Sequence, residues 1–312
     1  MNKAVSRLVV CGLGLWPMTL ACEGMPSDGM PSEGEGPQPA NESDPILETR
    51  VLPSHAATSA GDPDFLEWSE PTHVNLSTIA AERWGLPASR VAVIGPAGDD
   101  PDHYEGGLDN GFNQQWSHAY LYSQLGFWMW GDANENFDDC ITGRLRDQAE
   151  GPECKDGQSA ALHYGAGNQM EGDRFVGYAT HYIEDVTQVL HASAPSPDML
   201  TKHFAYEDWA RDNWTAGHNF AASVQADNFY YPVTDLQQSI RSAAWGSSYW
   251  NRSSAGRKVW DNYRSSGYPA GPGTGNAELV ANTRQLLIRA ARYATGTVKY
   301  ALDRYGQWDA RY

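Results

Sequence analysis

Apolar residues recur at helical spacing along much of this chain, and no alternating pattern long enough for a useful strand interrupts them. Residues 72–83 (THVNLSTIAAER) read as a short amphipathic helix with Thr72 or Ser69 near its start. Residues 92–110 are dense in Gly, Pro and Asp and read as loop. Residues 117–130 carry His118 and then a strongly apolar stretch that includes Phe127, Trp128 and Trp130; a cysteine-bearing loop follows over 131–156. Phe175, Val176, Ala179, Tyr182, Ile183 and Val186 then predict a long helix over about 157–187, with His181 and Asp185 on its other face. Pro195 and Pro197 break the chain before a helix over about 199–213. The last helix, over about 276–304, shows the clearest stripe: Leu279, Val280, Leu286, Leu287, Ala290, Ala294, Val298 and Leu302. The pattern as a whole predicts an all-α fold with one large multi-helix domain.

The N-terminus has a different character. Lys3 and Arg7 precede an apolar run from Leu8 to Leu20, the layout of a signal peptide over residues 1–21. That run is shorter than the roughly 20 apolar residues a spanning helix needs. Cys22 follows Thr-Leu-Ala, which is similar to a bacterial lipobox, although Leu is usual where Thr19 stands. An exported protein is expected, lipid-anchored through Cys22 at the cell envelope or else secreted. Residues 24–39 (GMPSDGMPSEGEGPQP) nearly duplicate one short polar unit and cannot bury a core. Residues 22–60 therefore read as a tether and residues 61–312 as the domain.

Composition adds two constraints. The net charge of −17 gives no electrostatic footprint for a stable nucleic-acid partner. Twelve Trp and sixteen Tyr suit an aromatic-rich core and an apolar substrate surface. In an exported chain, Cys140 and Cys154 are expected to form a disulfide. A monomer is expected.

The candidate chemistry concentrates in one window. His181 and Asp185 stand four residues apart, as do His203 and Glu207, and His191 lies between the pairs. On a helix, positions i and i+4 share a face, so each pair is a two-point metal claw. Neutral imidazole with carboxylate is a common zinc ligand set. His55, His103, His163 and His218 have no matching partner and read as surface or satisfied core histidines. There is no Gly-rich phosphate loop and no Gly-x-Ser-x-Gly elbow.

The order His-x3-Asp-x5-His followed by His-x3-Glu resembles the bacterial zinc-dependent phospholipase C family, which is related to the single-strand-specific zinc nucleases. Tyr182, Asp185 to Gln188, His191 with Ala192, and Tyr206, Glu207 and Trp209 extend the resemblance, and Glu207 favours the phospholipase branch. Val189 departs from it, since that family commonly has Pro there. The resemblance covers roughly residues 66–306. It implies further ligands upstream: Gly95, Asp100, His118 and Tyr120 fit the family's order, with Asp99 and Asp102 as competitors for the Asp100 role. It also implies His73 and, if cleavage after Glu67 frees its amine, Trp68. Three zinc ions are implied. His118, His181, Asp100 and Asp185 would hold one; His191, His203 and Glu207 a second; His73, Asp185 and the Trp68 terminus a third, with Asp185 bridging.

The implied activity is release of diacylglycerol and a phosphorylated head group from a phospholipid or membrane surface. A metal-activated water would attack, with Asp100 orienting it or taking its proton. The family's choline-binding aromatics are not matched, because Pro101 and Gln115 stand at those places; Tyr104, Phe112 or Trp116 are the substitutes to consider. Two other readings stand beside this one: a zinc nuclease of the same fold, and a non-catalytic surface lipoprotein stabilised by zinc.

Overall fold

Nearly all the regular structure is helical, as the apolar periodicity requires. The computed structural model describes residues 50–51, 70–101, 145, 159–192, 197–251 and 258–306. The signal peptide, most of the tether, Cys22, Trp68, Tyr104, Phe112, Trp116, His118, Cys140 and Cys154 lie outside the described residues. Ten helices are described: α1 Glu70–Glu82, α2 Ala88–Ala97, α3 Ala160–Gly165, α4 Gln169–Asp185 and α5 Val189–Ala192, then α6 Pro197–Asp212, α7 Phe220–Gln225, α8 Leu236–Asn251, α9 Val259–Ser265 and α10 Ala277–Arg304. Two short strands, β1 Arg50–Val51 and β2 Phe229–Tyr230, pair antiparallel, with Arg50 opposite Tyr230 and Val51 opposite Phe229.

Helix α10 is the spine. Its 28 residues rise about 42 Å at 1.5 Å each. Asn276 caps its start by accepting a hydrogen bond from the Leu279 N–H at 2.8 Å. Its C-terminal half (Tyr293, Ala294, Val298, Ala301) joins the core built on α4, with Phe175, Val176, Ala179 and Ile183. Its N-terminal half (Leu279, Leu286, Leu287) joins a second core, with Trp209 of α6, Phe220 of α7 and Trp260 of α9. Helix α4 packs against α1, α2, α3 and α10, so it is buried on nearly every side. His181 and Asp185 thus lie on an inward face, not a solvated one.

The contact between α2 and α4 is close because Gly177 permits it. A Cβ there would stand 2.6 Å from both the Ala97 Cβ and the Ile94 carbonyl. Across the same contact, the Arg90 guanidinium grips Asp173 through Nε to Oδ2 at 2.9 Å and Nη2 to Oδ1 at 2.6 Å. The Tyr164 hydroxyl donates to the same carboxylate. Both charges are fully buried, so each depends on the other for solvation.

Three expectations need correction. Residues 92–97 are helical, not loop: Val91, Ile94 and Ala97 keep a three-residue spacing, and burial of Ile94 and Ala97 outweighs the lost bond at Pro96. The long helix over 157–187 is two helices, because Gly167 takes φ +76° and Asn168 caps a fresh start at α4. Helices α7, α8 and α9 were not expected at all. Helix α8 buries Leu236, Ile240, Ala243 and Ala244 at helical spacing, but the Ser and Gly residues around them mute the stripe. The first helix and α10 lie within two residues of the expected ranges, and α6 starts at Pro197, which suits the first turn of a helix.

Replacing Arg90 with Met should cost about 3–5 kcal/mol in urea unfolding, because Asp173 keeps a buried charge and loses its guanidinium. The double variant Arg90→Met/Asp173→Leu should recover much of that loss. Equal losses in the single and double variants would show that packing, and not the charge pair, joins α2 to α4.

Candidate metal centre

Four elements converge on the last turn of α4. Helix α4 supplies His181, Glu184 and Asp185; α1 supplies His73 and Ser77; the turn after α2 supplies the Gly98 carbonyl; α5 supplies His191. The Asp185 carboxylate is at the centre. Its Oδ1 lies 3.3 Å from His73 Nε2, and its Oδ2 lies 3.2 Å from His181 Nε2. His191 Nδ1 is 3.7 Å from Oδ1. His73 and His181 face each other with ring centroids 4.1 Å apart.

Each of those two imidazoles is oriented from behind. His181 Nδ1 is 2.8 Å from the Gly98 carbonyl. A carbonyl only accepts, so Nδ1 carries the proton and the Nε2 lone pair points at Asp185 when the ring is neutral. His73 Nδ1 donates to Glu184 Oε2 at 2.7 Å, which turns its Nε2 the same way. Metal-binding histidines are commonly fixed by such an acceptor on the far nitrogen. Both Nε2 atoms thus lie close to the Asp185 carboxylate, each against a different oxygen. His73, His181 and Asp185 form a buried group whose ligand atoms could hold a metal ion. Two imidazole nitrogens and a carboxylate suit a borderline divalent cation.

A second pair lies alongside. His191 Nε2 is 3.1 Å from Glu207 Oε1 on α6. The Gln188 amide donates to that same oxygen, while its own carbonyl accepts from the Leu190 N–H at 2.7 Å. Gln188 is thereby held in one orientation and fixes Glu207. His203 lies on α6 four residues before Glu207. Asp100 is half-buried just beyond α2 and is not part of the donor group formed by His73, His181 and Asp185; its neighbour Asp99 is buried.

Glu184 was not anticipated from the sequence. It shares a helical turn with His181 and Asp185, and that was the available signal. Ser77 Oγ donates to Glu184 Oε1 at 3.1 Å and lies 2.6 Å from Thr180 Oγ1. Burial raises the Glu184 carboxyl to about 7, against the lowering effect of its bonds to His73 and Ser77. Burial and the charge of His181 press the His73 imidazolium down. The bonds to Asp185 and Glu184, with the Asp185 charge, outweigh them and lift it to about 9. His218 is satisfied elsewhere, through Nε2 and the Thr274 carbonyl at 2.7 Å, and His163 stacks on Phe175.

No protein-family model matches the chain, and no curated protein matches it either. Among the described residues no helix is long and apolar enough to cross a membrane.

Metal binding requires neutral His73, so near pH 7 an ion must displace a proton held with a pKa of about 9. The apparent zinc affinity of the chelator-treated protein should therefore rise with pH, by up to about ten-fold per unit, and level off above about 9. A chromophoric zinc competitor read at several pH values measures this. Glu184→Ala should weaken zinc binding about 10–100-fold. Affinity independent of pH between 6.5 and 9 would remove His73 from the centre.

Proposed function

We propose that this chain is a zinc-dependent phosphodiester hydrolase of the phospholipase C type, acting on phospholipid at a membrane surface. The fold expected with it is that of the zinc phospholipases and zinc nucleases. The observation that carries the reading is the Asp185 carboxylate, which offers one oxygen to His73 and the other to His181 while His191 and Glu207 stand beside it.

His73, His181 and Asp185 would hold zinc, with Asp185 shared between ions. His191 and Glu207, joined by His203, would hold another. His118 and a freed Trp68 terminus would complete the set through the resemblance described above. When bound, zinc supplies Lewis acidity: it offsets negative charge building on phosphorus and lowers the pKa of water. The chain's own residues do the rest. Glu184 and the Gly98 carbonyl keep two Nε2 lone pairs aimed at one place, so no reorientation is needed when substrate arrives. Gln188 does the same for Glu207. Asp100, two residues past Gly98, is the proposed acceptor for the attacking water's proton. Phe204, three residues before Glu207 on α6, is an apolar ring 56% exposed. That suits lipid, and the net charge of −17 disfavours a polyanionic substrate. Tyr104, Phe112 and Trp116 are the proposed head-group contacts, and export to the envelope or medium is part of the same proposal.

On mixed phospholipid micelles the purified protein should release diacylglycerol and a phosphorylated head group. Chelator should abolish the activity, and His181→Ala should reduce it to background. Release of fatty acid, or of a head group without phosphate, would end the phospholipase C reading. Faster turnover of single-stranded DNA than of phospholipid would assign the nuclease branch instead.

A further inference from the structure

We propose that Arg289 and Tyr293 form a buried binding site for a small oxyanion, of the phosphate, sulfate or carboxylate class, where α10 packs against α8. The proposal is independent of the metal reading.

Arg289 is only 6% exposed, and its Nε and Nη2 atoms have no hydrogen-bond partner. Those two N–H groups form the edge of the guanidinium that grips a pair of oxygens in plane. Arginine cannot relieve its burial by losing a proton. Two other arginines, buried Arg90 and half-buried Arg292, show how this chain can meet the need. Arg90 takes Asp173 in two bonds, and Arg292, one turn along α10, takes Asp227 in two bonds. Arg289 does neither: among the described residues no carboxylate pairs with it.

Two neighbours make the place look built. Tyr293 lies one helical turn further along α10, on the same face, and its buried hydroxyl is also without a partner. The two groups are near enough to interact: burial drives the Tyr293 phenol well above its usual range, while the Arg289 charge pulls it back. On the facing helix, Gly246 makes room. A Cβ at that position would lie 2.2 Å from Arg289 Nη2, so only glycine lets the guanidinium occupy its place. Glycine within a helix is itself unfavourable, and here it accommodates a cation whose N–H fork is unmatched. The donor set is then one planar fork and one hydroxyl, all donating, which matches an oxyanion better than a neutral ligand.

Sodium sulfate is the probe, with sodium chloride at matched ionic strength as reference. For the wild-type chain, sulfate should raise the melting temperature in a saturable manner beyond chloride, and should shift the Arg289 Nε–H resonance. The effect should persist in His181→Ala, which separates it from anions at the proposed metal centre. Arg289→Met should abolish the saturable rise. Arg289→Lys keeps the charge without the fork and should weaken sulfate about ten-fold or more. Tyr293→Phe should weaken it several-fold while leaving the sulfate-free melting temperature at or above wild type. An equal rise in Arg289→Met, or chloride matching sulfate, would overturn the site. If Arg289→Met does not fold, Tyr293→Phe and the wild-type resonance decide: unchanged sulfate affinity in Tyr293→Phe with an unmoved Nε–H signal also overturns it.

Discussion

Asp185 imposes the constraint from which the centre of this protein follows. A carboxylate 5% exposed must be compensated where it lies, and Glu184 beside it is buried too. Two adjacent buried acids call for positive charge, and among the described residues the cationic groups against them are imidazoles. Without an ion, the compensation is a proton: His73 is held to about 9, and the Glu184 carboxyl is itself raised to about 7. Both shifts have the same sign, so the folded metal-free centre retains protons that the unfolded chain would release. A divalent cation meets the same need with charge that does not titrate. Metal and proton therefore compete for one electrostatic role, which is why the affinity must depend on pH.

The rest of the fold can be read as what keeps those imidazoles aimed. His181 depends on the Gly98 carbonyl, and Gly98 stands at the end of α2. The position of that end is fixed by two features of the α2–α4 contact: the missing side chain at Gly177 and the Arg90–Asp173 pair. A change at either would move a carbonyl that sets a tautomer, although neither is itself a proposed ligand. His73 depends on α1, which α10 and α4 hold in place. Ser77, one turn along α1, bonds both Thr180 and Glu184 and so ties α1 to α4 at the same level. Packing decides the helix positions, the helix positions decide which nitrogen carries a proton, and that decides which lone pair faces Asp185.

This chain of dependence explains what the sequence could and could not disclose. The His181–Asp185 spacing is local, so a helical period reveals it directly. The stripe of α10 is also local and long, and its range was nearly right. The bond between His73 and Glu184 joins residues 111 positions apart, and no period encodes that. Most glutamates are exposed, so nothing local singles out Glu184, and packing by α1 makes it an internal one. Helix α2 was hidden by Pro96 and the glycines around it, since composition marks a loop whenever tertiary burial has not been considered. Arg289 is the extreme case. Its spacing on α10 is ordinary, and its isolation exists only because α8 brings Gly246 against it.

The donors also differ in exposure, which bears on the proposed hydrolase as against a merely structural use of a metal. A structural zinc site is closed, with all its ligands inside. Here the donors grade outward. The side chains of His181, Asp185 and His73 are 0%, 5% and 6% exposed, whereas those of Glu207 and His191 are 13% and 17% exposed. Among the described residues, His191 and Glu207 are the more exposed donors beside the inner group. The outer pair, like the inner one, is held by hydrogen bonding, here from the Gln188 side-chain amide. A site built only for stability has no reason to leave its outer donors wet while orienting them. The proposed phosphodiester hydrolase would have one, because its donors nearest solvent would have to stay in place when substrate displaced water from them.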